Sequence, residues 1–334
     1  MGAPEELELS VVLVNHNGAD CLPAALGALA RNTATESVEG IVVDSGSVDG
    51  SWRDVAEHWD RARAIRFDEN IGFCAGCNRG AEAATGRLLA FVNFDSYVEE
   101  AWDRPLLELL DDEAVAIATG LMLSEDGETL ESVGLGLAPN TAVYGRQMGM
   151  PRWAAPEEPI DVAAASGGLM MVRRSDFLAL GGFYEPIFMY GEEADYCLRA
   201  AGRVVLHPAS ASRHESGHAS GPHQSSLKIY WSSRNRLLNT ARHLSTPALV
   251  TSVLASGAFD AMTLAQARSR PALSAIARGW RDGLRLMARE RRARLPQERR
   301  EATRQLASFH EALAEQRRLG RLGWAQRAPK RTVT

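Results

Sequence analysis

The stretch Leu9-Ser-Val-Val-Leu-Val14, followed by Asn15-His-Asn-Gly18, decides how the chain folds. Its first six residues are almost uniformly apolar and rich in valine, which is typical of a strand buried on both faces of a parallel sheet. An apolar-periodic helix follows, and a second apolar run at residues 40–43 ends in Asp44-Ser-Gly-Ser47. The pattern predicts a strand–helix–strand unit with polar residues where each strand ends.

The same alternation continues along the first hundred residues. It predicts strands at 64–67 and 88–92 with a helix at 75–85 between them, and the second strand stops at Asn93-Phe-Asp95. In open parallel sheets, ligands bind beyond the carboxyl ends of the strands. We therefore expect Asn15, Asp44 and Asp95 to lie along one crevice.

The second half of the chain alternates less regularly. Residues 134–149 contain four glycines and are interpreted as loop and hairpin. The remaining pattern predicts helices at 106–110, 174–180 and 192–201, and strands at 115–122, 166–172 and 204–206. From residue 225 onward the chain reads as helices broken near Pro247, Pro271 and Pro296. The fold class predicted is an open, mixed but mainly parallel α/β sheet (residues 1–224) with a helical extension (225–334).

Composition favours a globular protein of a reducing compartment. Of 334 residues, 45% are hydrophobic and 24% are charged, as in ordinary folded domains. Cys21, Cys74, Cys77 and Cys197 are too sparse for a disulfide framework, and residues 1–8 lack the basic start of a secretory signal. We expect a cytoplasmic protein.

Charge is unevenly distributed along the chain, because the residues after Ala265 include about eighteen Lys or Arg but only about six Asp or Glu. This basic helical stretch is interpreted as a solvated face, with peripheral contact to an anionic membrane as the alternative. It lacks the interleaved aromatics of nucleic-acid modules, so no nucleic acid is expected. Residues 248–265 are apolar but interrupted by polar residues, and are predicted to be a packed or interfacial helix rather than a membrane span. The C-terminal helices could also form a homodimer.

Two strand-end clusters carry candidate chemistry. Asp44 can accept hydrogen bonds from a base or a ribose, while Ser45 and Ser47 let the backbone approach a ligand; turn chemistry alone is the alternative. Asn93 and Asp95, spaced i and i+2 on the strand, are expected to point to the same side, where they could hold a hard divalent cation against a diphosphate.

A third cluster, Tyr190-Gly-Glu192-Glu193-Ala-Asp195-Tyr-Cys-Leu-Arg199, crowds three acids at a helix start. These acids could simply complement the helix dipole. Their mutual repulsion would also raise at least one pKa toward the range of a general base. Arg199 is the predicted partner of Asp195.

Histidines at 214 and 218 follow the last predicted strand, in what is interpreted as a polar loop. One imidazole added to Asp95 and a diphosphate would complete a metal site. Cys74 and Cys77 are interpreted as small packing residues rather than zinc ligands. Arg234 could pack in a helix or hold phosphate.

Taken in order, these segments resemble family-two glycosyltransferases of the GT-A type, and most closely a bacterial rhamnosyltransferase-like branch. The resemblance spans residues 9–239. It includes the polar V-x-x-x-N segment ending at Asn17. It also includes the family's N-x-G start, at Asn70 and Gly72, with Asn78 after it. The family's N-P-D metal motif is present as Asn93-Phe-Asp95, without its proline.

The resemblance extends to the acceptor side. The family's Y-x-E-D-x-D-L-x-x-R is similar to residues 190–199, with Glu193 where aspartate is usual. The H-x-x-G loop is similar to residues 214–217, R-N to Arg234-Asn235, and the Ser-Gly-Gly strand start to residues 166–168. These matches imply a donor half at residues 1–98 and an acceptor half at 99–224.

The resemblance implies a metal-dependent, inverting glycosyltransferase using Mg²⁺ or Mn²⁺. Metal ligands would be Asp95 and His214, and the catalytic carboxylates Glu193, Glu192 and Asp195, with Glu193 favoured as base. The implied nucleotide contacts are Asn15, Asn17, Asp44, Ser45, Ser47, Asn70, Gly72, Asn78, Asn93 and Arg234.

The implied donor is dTDP-rhamnose, with UDP-sugars as alternatives, and the acceptor a saccharide, lipid-linked glycan or natural product. Rival readings are a catalytically silent scaffold and a sugar-phosphate nucleotidyltransferase.

Overall fold

The structure, a computed structural model, describes residues 7–215 and 225–293. The strands are β1 (Leu9–Asn15), β2 (Val38–Ser45), β3 (Ala62–Phe67), β4 (Leu88–Val92), β5 (Ser96–Val98), β6 (Val115–Ser124), β7 (Leu130–Ser132), β8 (Leu135–Leu137), β9 (Val143–Gly145), β10 (Ile160–Asp161), β11 (Leu169–Arg173) and β12 (Arg203–His214). The helices are α1 (Leu22–Asn32), α2 (Val55–His58), α3 (Gly72–Ala83), α4 (Arg104–Leu110), α5 (Arg174–Ala179), α6 (Glu192–Arg199), α7 (Ser226–His243), α8 (Thr246–Ala267) and α9 (Arg270–Ala293).

Ten of the described strands form one mixed, mainly parallel sheet, as predicted. Its order is β10-β12-β6-β11-β4-β1-β2-β3, with β5 on β12 and β7 on β6, while β8 and β9 form a separate hairpin. Strands β4, β1, β2 and β3 run parallel, and β11 is antiparallel to both neighbours. In the register, Asn15 pairs with Asp44, so β1 and β2 end at the same edge.

Helices cover both faces of the sheet because its strands are apolar on both sides. One face packs against α1, α2 and α4 through residues such as Leu26 and Trp102, and the other against α3, α5 and α6 through residues such as Phe177. Helix α3 lies very close to β1: a Cβ at Gly76 would sit 2.7 Å from Val14, and one at Gly80 2.3 Å from Val12. The N-terminus of α3 is thereby held at the carboxyl edge of the sheet.

Two local predictions are wrong. The last strand was expected to stop at residue 206, but β12 pairs again with β6 from Ala211 after an irregularity around His207 and Pro208. His214 is therefore the last residue of a strand, not part of a loop. Residues 93–95 form a turn after β4 rather than a strand continuation, so Asn93 and Asp95 do not share a strand face.

The C-terminal helices pack on the α/β part. Prolines 247 and 271 lie in the first turns of α8 and α9, as predicted, whereas the break expected at Pro296 lies outside the described residues. Helices α7 and α9 approach closely, since a Cβ at Gly279 or Gly283 would lie 2.9 Å from a backbone oxygen of α7. Asn235 of α7 donates to the carbonyls of Ile187 and residues 189 and 190. The domain division at residue 225 stays a prediction.

All four cysteines are free and buried. Cys74 and Cys77 lie inside α3, where burial raises the pKa of both thiols well above its usual value. The two residues pack in the core, in keeping with the interpretation of this pair as packing residues.

Candidate active site

The ends of β1 and β2 are joined by a network centred on Asn15. Its Nδ2 donates to Asp44 Oδ1 at 2.8 Å, to Ser51 Oγ at 2.8 Å and to Ser47 Oγ at 3.2 Å. Ser47 Oγ also accepts from the backbone N–H of Asn17 at 2.9 Å. The loops after the two strands are therefore held as one unit at the carboxyl edge of the sheet.

The same network reaches the start of α3 through Ser45 and Asn70. Ser45 Oγ donates to Asn70 Oδ1 at 3.1 Å, and Asn70 Oδ1 accepts from the N–H of Gly72 at 2.9 Å. Gly72 has a φ of +83°, and a Cβ there would sit 2.5 Å from the ring of Phe188. Seven of the residues predicted to contact the nucleotide thus lie at one edge, in two hydrogen-bonded groups that the Asp44–Ser45 peptide joins; these are Asn15, Asn17, Asp44 and Ser47, and Ser45, Asn70 and Gly72.

Asp44 is fully buried within this edge. Besides Asn15, its carboxylate accepts from the N–H of Ser47 at 3.3 Å and lies 3.8 Å from Arg66 Nε. The Arg66 guanidinium stacks over the ring of Trp52 at 4.6 Å. Sequence reasoning missed Trp52 and Arg66, which carry no motif. Arg66 lies beside Asp44 because β2 pairs with β3, and Trp52 comes from the loop after β2.

The end of β4 approaches the end of β12 at the same edge. His214 Nε2 lies 3.3 Å from Asp95 Oδ1, although the two residues come from distant parts of the chain. On its other side, His214 Nδ1 lies 2.9 Å from Glu131 Oε2 of β7. Burial alone would lower the pKa of His214, but these two carboxylates raise it to about 10.

Further groups tie this pair to the first strand. The ring of Phe94, the residue between Asn93 and Asp95, packs against Gly18. A Cβ on Gly18 would lie 2.7 Å from this ring and 2.4 Å from Asn15 Oδ1. Only glycine fits there, so the β1 loop and the β4 turn touch. Tyr97 donates to Glu215 Oε2 at 2.7 Å, next to Asp95, whose carbonyl accepts from the N–H of Glu215.

The Asp95–His214 pair suits a divalent cation that also binds a ligand. Two ligands about 2.1 Å from an octahedral cation and at right angles are about 3 Å apart, close to the observed separation. A carboxylate that binds the other nitrogen of a metal-binding imidazole fixes the tautomer and the orientation of the imidazole. Glu131 is in this position relative to His214. Within residues 7–215 and 225–293, no three His, Cys, Asp or Glu side chains are grouped to hold a metal by themselves.

The acid cluster at the start of α6 has three different environments. Glu192 is buried and its Oε2 has no hydrogen-bond partner among the described residues. Glu193 is half-buried, and its Oε2 accepts from the N–H of Gly191 at 3.3 Å. Burial raises the pKa of both glutamates, most strongly that of Glu192, which also faces the charge of Glu193.

Asp195, predicted to be catalytic, is instead the centre of a buried ion-pair network. Its oxygens accept from Arg199 at 2.8 Å and from Arg242 at 2.7 Å, and His243 Nε2 lies 2.8 Å away. Burial would raise the pKa of Asp195, but the hydrogen bond from His243 and the charges of the two arginines hold it far below its usual range. A fully buried carboxylate with this charge environment ties α6 to α7 and is a poor proton acceptor.

Lys228, another residue that sequence reasoning missed, interacts electrostatically with both Glu131 and Glu193. Its ammonium is 5.4 Å from the ring centre of Tyr190. Burial lowers the pKa of Lys228, while the carboxylates of Glu131 and Glu193 act in the opposite direction. The glycine segment after Ser166 lies in the same region, since a Cβ on Gly167 would be 3.4 Å from Glu193 and one on Gly168 3.3 Å from Asn93.

Two predicted ligand contacts have structural partners instead. Asn78 accepts from the N–H of Phe183 at 2.8 Å and donates to its carbonyl at 2.9 Å, so its amide clamps α3 to the loop before α6. Arg234 is 9% exposed and donates to the carbonyl of Pro186 at 2.7 Å. Both side chains are therefore held by backbone groups of the loop before α6, and helix periodicity alone could not show which way each one points.

The mixed sheet flanked by helices, with its polar carboxyl edge, has the architecture of the GT-A fold. The model of "Glycosyl transferase family 2" matches residues 10–181. The chain therefore belongs to glycosyl transferase family 2.

Known proteins show the same relationship. A putative polypeptide N-acetylgalactosaminyltransferase 13 of Drosophila melanogaster is 30% identical over 244 residues, covering 64% of this chain and 42% of its own length. Among solved structures, GalNAc-T7 with UDP, GalNAc and Mn²⁺ superposes with a TM-score of 0.57 at 18% identity, covering 73% of this chain and 49% of that one. The S. aureus TarS 1-349 complex with UDP-GlcNAc has a TM-score of 0.57 at 13% identity, covering 93% and 92%. The chain thus spans less than half of the fly relative, and the structural likeness establishes the fold.

Proposed function

We propose that this chain is a metal-dependent, inverting glycosyltransferase of the cytoplasm that moves a sugar from a nucleoside-diphosphate donor to an acceptor hydroxyl. The observation that carries the proposal is the contact of His214 with Asp95 at 3.3 Å, at the edge where Asn15 and Asp44 join β1 and β2. A carboxylate and an imidazole at a strand-end edge are the groups that a diphosphate-bound cation needs.

Asp95 and His214 would hold Mg²⁺ or Mn²⁺, and Glu131 would orient the imidazole. When bound, the cation supplies positive charge that neutralises the departing nucleoside diphosphate. The Asn15–Asp44 network would position the nucleotide, since the two loops it joins lie directly beside this pair. GalNAc-T7, of the same fold, is described with UDP and Mn²⁺, which supports the proposal.

Glu193 is the proposed base. Its pKa is raised by burial, and it is more exposed than Glu192. The acceptor oxygen would form a bond to the anomeric carbon as the bond from that carbon to the diphosphate oxygen breaks, and Glu193 would take the hydroxyl proton. Attack on the face opposite the leaving group in a single displacement gives inversion.

The donor proposed is dTDP-rhamnose, which rests on the resemblance of the motifs at residues 9–239 to the rhamnosyltransferase-like branch. TarS, by contrast, is described with UDP-GlcNAc. The acceptor proposed is a hydroxyl of a saccharide, a lipid-linked glycan or a natural product.

The test is release of nucleoside diphosphate from a donor panel of dTDP-rhamnose, UDP-GlcNAc, UDP-GalNAc and UDP-galactofuranose. Each donor is incubated with the protein in Mn²⁺, in Mg²⁺ or in EDTA, and the released diphosphate is measured. We expect release from one donor class, abolished by EDTA and by Glu193→Gln. Metal-stimulated binding of a nucleotide without release from any donor, even with a mixture of acceptor glycans, would favour a silent scaffold.

A further inference from the structure

Helix α8 is polar on the side that faces the protein and apolar on the side that faces outward. Ser252, Ser256 and Asp260 are buried, whereas Val250 is 56%, Leu254 70% and Met262 45% exposed. This is the reverse of a helix packed on a hydrophobic core. The outer face of α8 is defined as Val250, Leu254, Ala258, Ala261, Met262 and Ala265, and the exposed polar residues next to them are Thr251 and Gln266.

The inner side of α8 is held by specific hydrogen bonds. Asp260 accepts from Ser233 at 2.9 Å, from Trp280 Nε1 at 2.7 Å and from Arg236. Ser252 and Thr240 share a hydrogen bond of 2.7 Å. These contacts fix the rotation of α8 about its own axis on α7 and α9, and they therefore determine which side of α8 is exposed.

The apolar surface of α8 is large for a water-exposed helix. Its most apolar stretch has a mean hydropathy of 1.5, and only 17% of that stretch is buried. By length and composition α8 could cross a membrane, contrary to the sequence-based interpretation that it falls short. It is the one helix of the described residues that meets this criterion. Because Asp260 and Ser252 bind partners on α7 and α9, however, α8 lies along the domain.

Helix α9, which contacts α8 through Trp280 and Asp260, carries positive charge. Five exposed arginines recur every three or four residues and so share one side of the helix; this Arg row is Arg278, Arg281, Arg285, Arg289 and Arg292. Leu273 and Leu284 of α9 are also exposed, at 53% and 42%. Among the acids of α8 and α9, Asp260 and Glu290 are buried. Asp282 pairs with Arg281 and lies 3.9 Å from Arg285, so it offsets part of the charge of the row and leaves the row with a net positive charge.

We infer that the outer face of α8 and the Arg row form a docking surface for an anionic lipid bilayer, with α8 lying in the plane of the interface. An apolar helix face flanked by basic side chains binds such interfaces through buried apolar area and attraction to anionic headgroups. A second copy of the chain fits less well, because it would bring two Arg rows into one contact. The surface lies on the C-terminal helices, outside the proposed donor site.

The test is flotation of the full-length protein with vesicles of phosphatidylcholine alone and of phosphatidylcholine mixed with phosphatidylglycerol. We expect the protein to float with the mixed vesicles and to remain below with the neutral ones, and salt to weaken binding. The triple variant Val250→Ser, Leu254→Ser, Met262→Ser should bind about 100-fold more weakly. Failure of the wild type to bind the mixed vesicles would overturn the inference.

Two further variants separate the contributions. Removing three charges with Arg278→Gln, Arg285→Gln and Arg289→Gln should lower binding to the anionic vesicles at least about tenfold. The matched control, Trp153→Ser with Leu178→Ser, removes side chains that are 84% and 38% exposed elsewhere on the surface and should bind like the wild type. Equal loss in the control would contradict a specific surface.

A label on α8 distinguishes the bilayer from a protein cover. The four native cysteines are buried, so Leu254→Cys can be labelled selectively with an environment-sensitive fluorophore. Its emission should shift to the blue only when anionic vesicles are added. A blue-shifted emission without vesicles, or a dimer in light scattering that the triple α8 variant converts to a monomer, would show that protein covers this face and would overturn the inference.

Discussion

Replacing Glu131 by glutamine tests the role of the carboxylate behind His214. The substitution keeps the side chain's shape but removes its charge, 2.9 Å from His214 Nδ1. On the proposed function, the imidazole would then be oriented less firmly and would be a poorer ligand. We expect weaker binding of Mn²⁺, with turnover largely recovered at high metal concentration.

The magnitude follows from the exposure of the pair. A hydrogen bond to a charged group contributes about 1.5–3 kcal/mol. Side-chain exposure of 20% for His214 and 24% for Glu131 places this one at the lower end, because water still screens it. A loss of about 1.5–2 kcal/mol corresponds to roughly 10- to 30-fold in metal affinity, within the range of about 10- to 100-fold typical of such partners.

The assay is titration of Mn²⁺ in the presence of the nucleoside diphosphate, followed by transfer rates at low and saturating Mn²⁺. Glu128→Gln is the matched control, since it makes the same chemical change three positions earlier at an exposed site. If Glu131→Gln bound metal as tightly as Glu128→Gln did, the carboxylate would have no part in holding the imidazole and the reasoning would be refuted.

Three other predictions concern the base, the ion-pair network and the C-terminal packing. Glu193→Gln should lower kcat about 10²- to 10⁴-fold with donor binding unchanged. Because burial raises the pKa of Glu193, the rate of wild-type transfer should rise with pH through a value above the ordinary carboxyl range, and a flat pH profile would exclude this base. Asp195→Asn should reduce the free energy of unfolding by about 3–5 kcal/mol. Because the fold lowers the pKa of Asp195, the stabilisation by its charge is present above the unfolded-state pKa of about 4 and is lost in acid. Urea melts of wild type and variant should therefore converge at low pH. Gly283→Val should destabilise by about 1–3 kcal/mol, because a Cβ would lie 2.9 Å from Arg234 O, whereas Gly257→Ala, with 3.9 Å to Trp280, should melt like the wild type.

The parallel half of the sheet could be predicted because its strands are buried on both faces. Strands β1, β2 and β4 are short apolar runs with polar residues directly after them, and these features do not depend on distant contacts. Strand β12 was predicted too short since Pro208 interrupts the apolar run, and only the neighbouring β6 shows that pairing resumes at Ala211. Strand β5 has three residues, too few for a period to be seen.

Residue types predicted the contacts at the strand ends better than they predicted the contacts of residues on helices. Asn15 and Asp44 lie at the ends of strands that must pair, so their contact follows from the fold. Asp195 and Arg234 lie on helices. The partner of Asp195 on its own helix, Arg199, was predicted from the spacing and is confirmed. The other partners, Arg242 of α7 for Asp195 and Pro186 for Arg234, come from elements that no local pattern specifies. Glu131 lies in a three-residue strand within a glycine-rich region, and its contact with His214 joins positions 83 apart, which only the folded chain shows.

The central claim is that Asp95 and His214 together bind the cation that holds the nucleotide. Calorimetric titration of dTDP and of UDP, each with and without Mn²⁺, into wild type and Asp95→Asn tests it most directly. The account predicts that Mn²⁺ strengthens nucleotide binding to the wild type, and that the variant keeps its melting temperature but loses this enhancement. Equal enhancement in both proteins would contradict it.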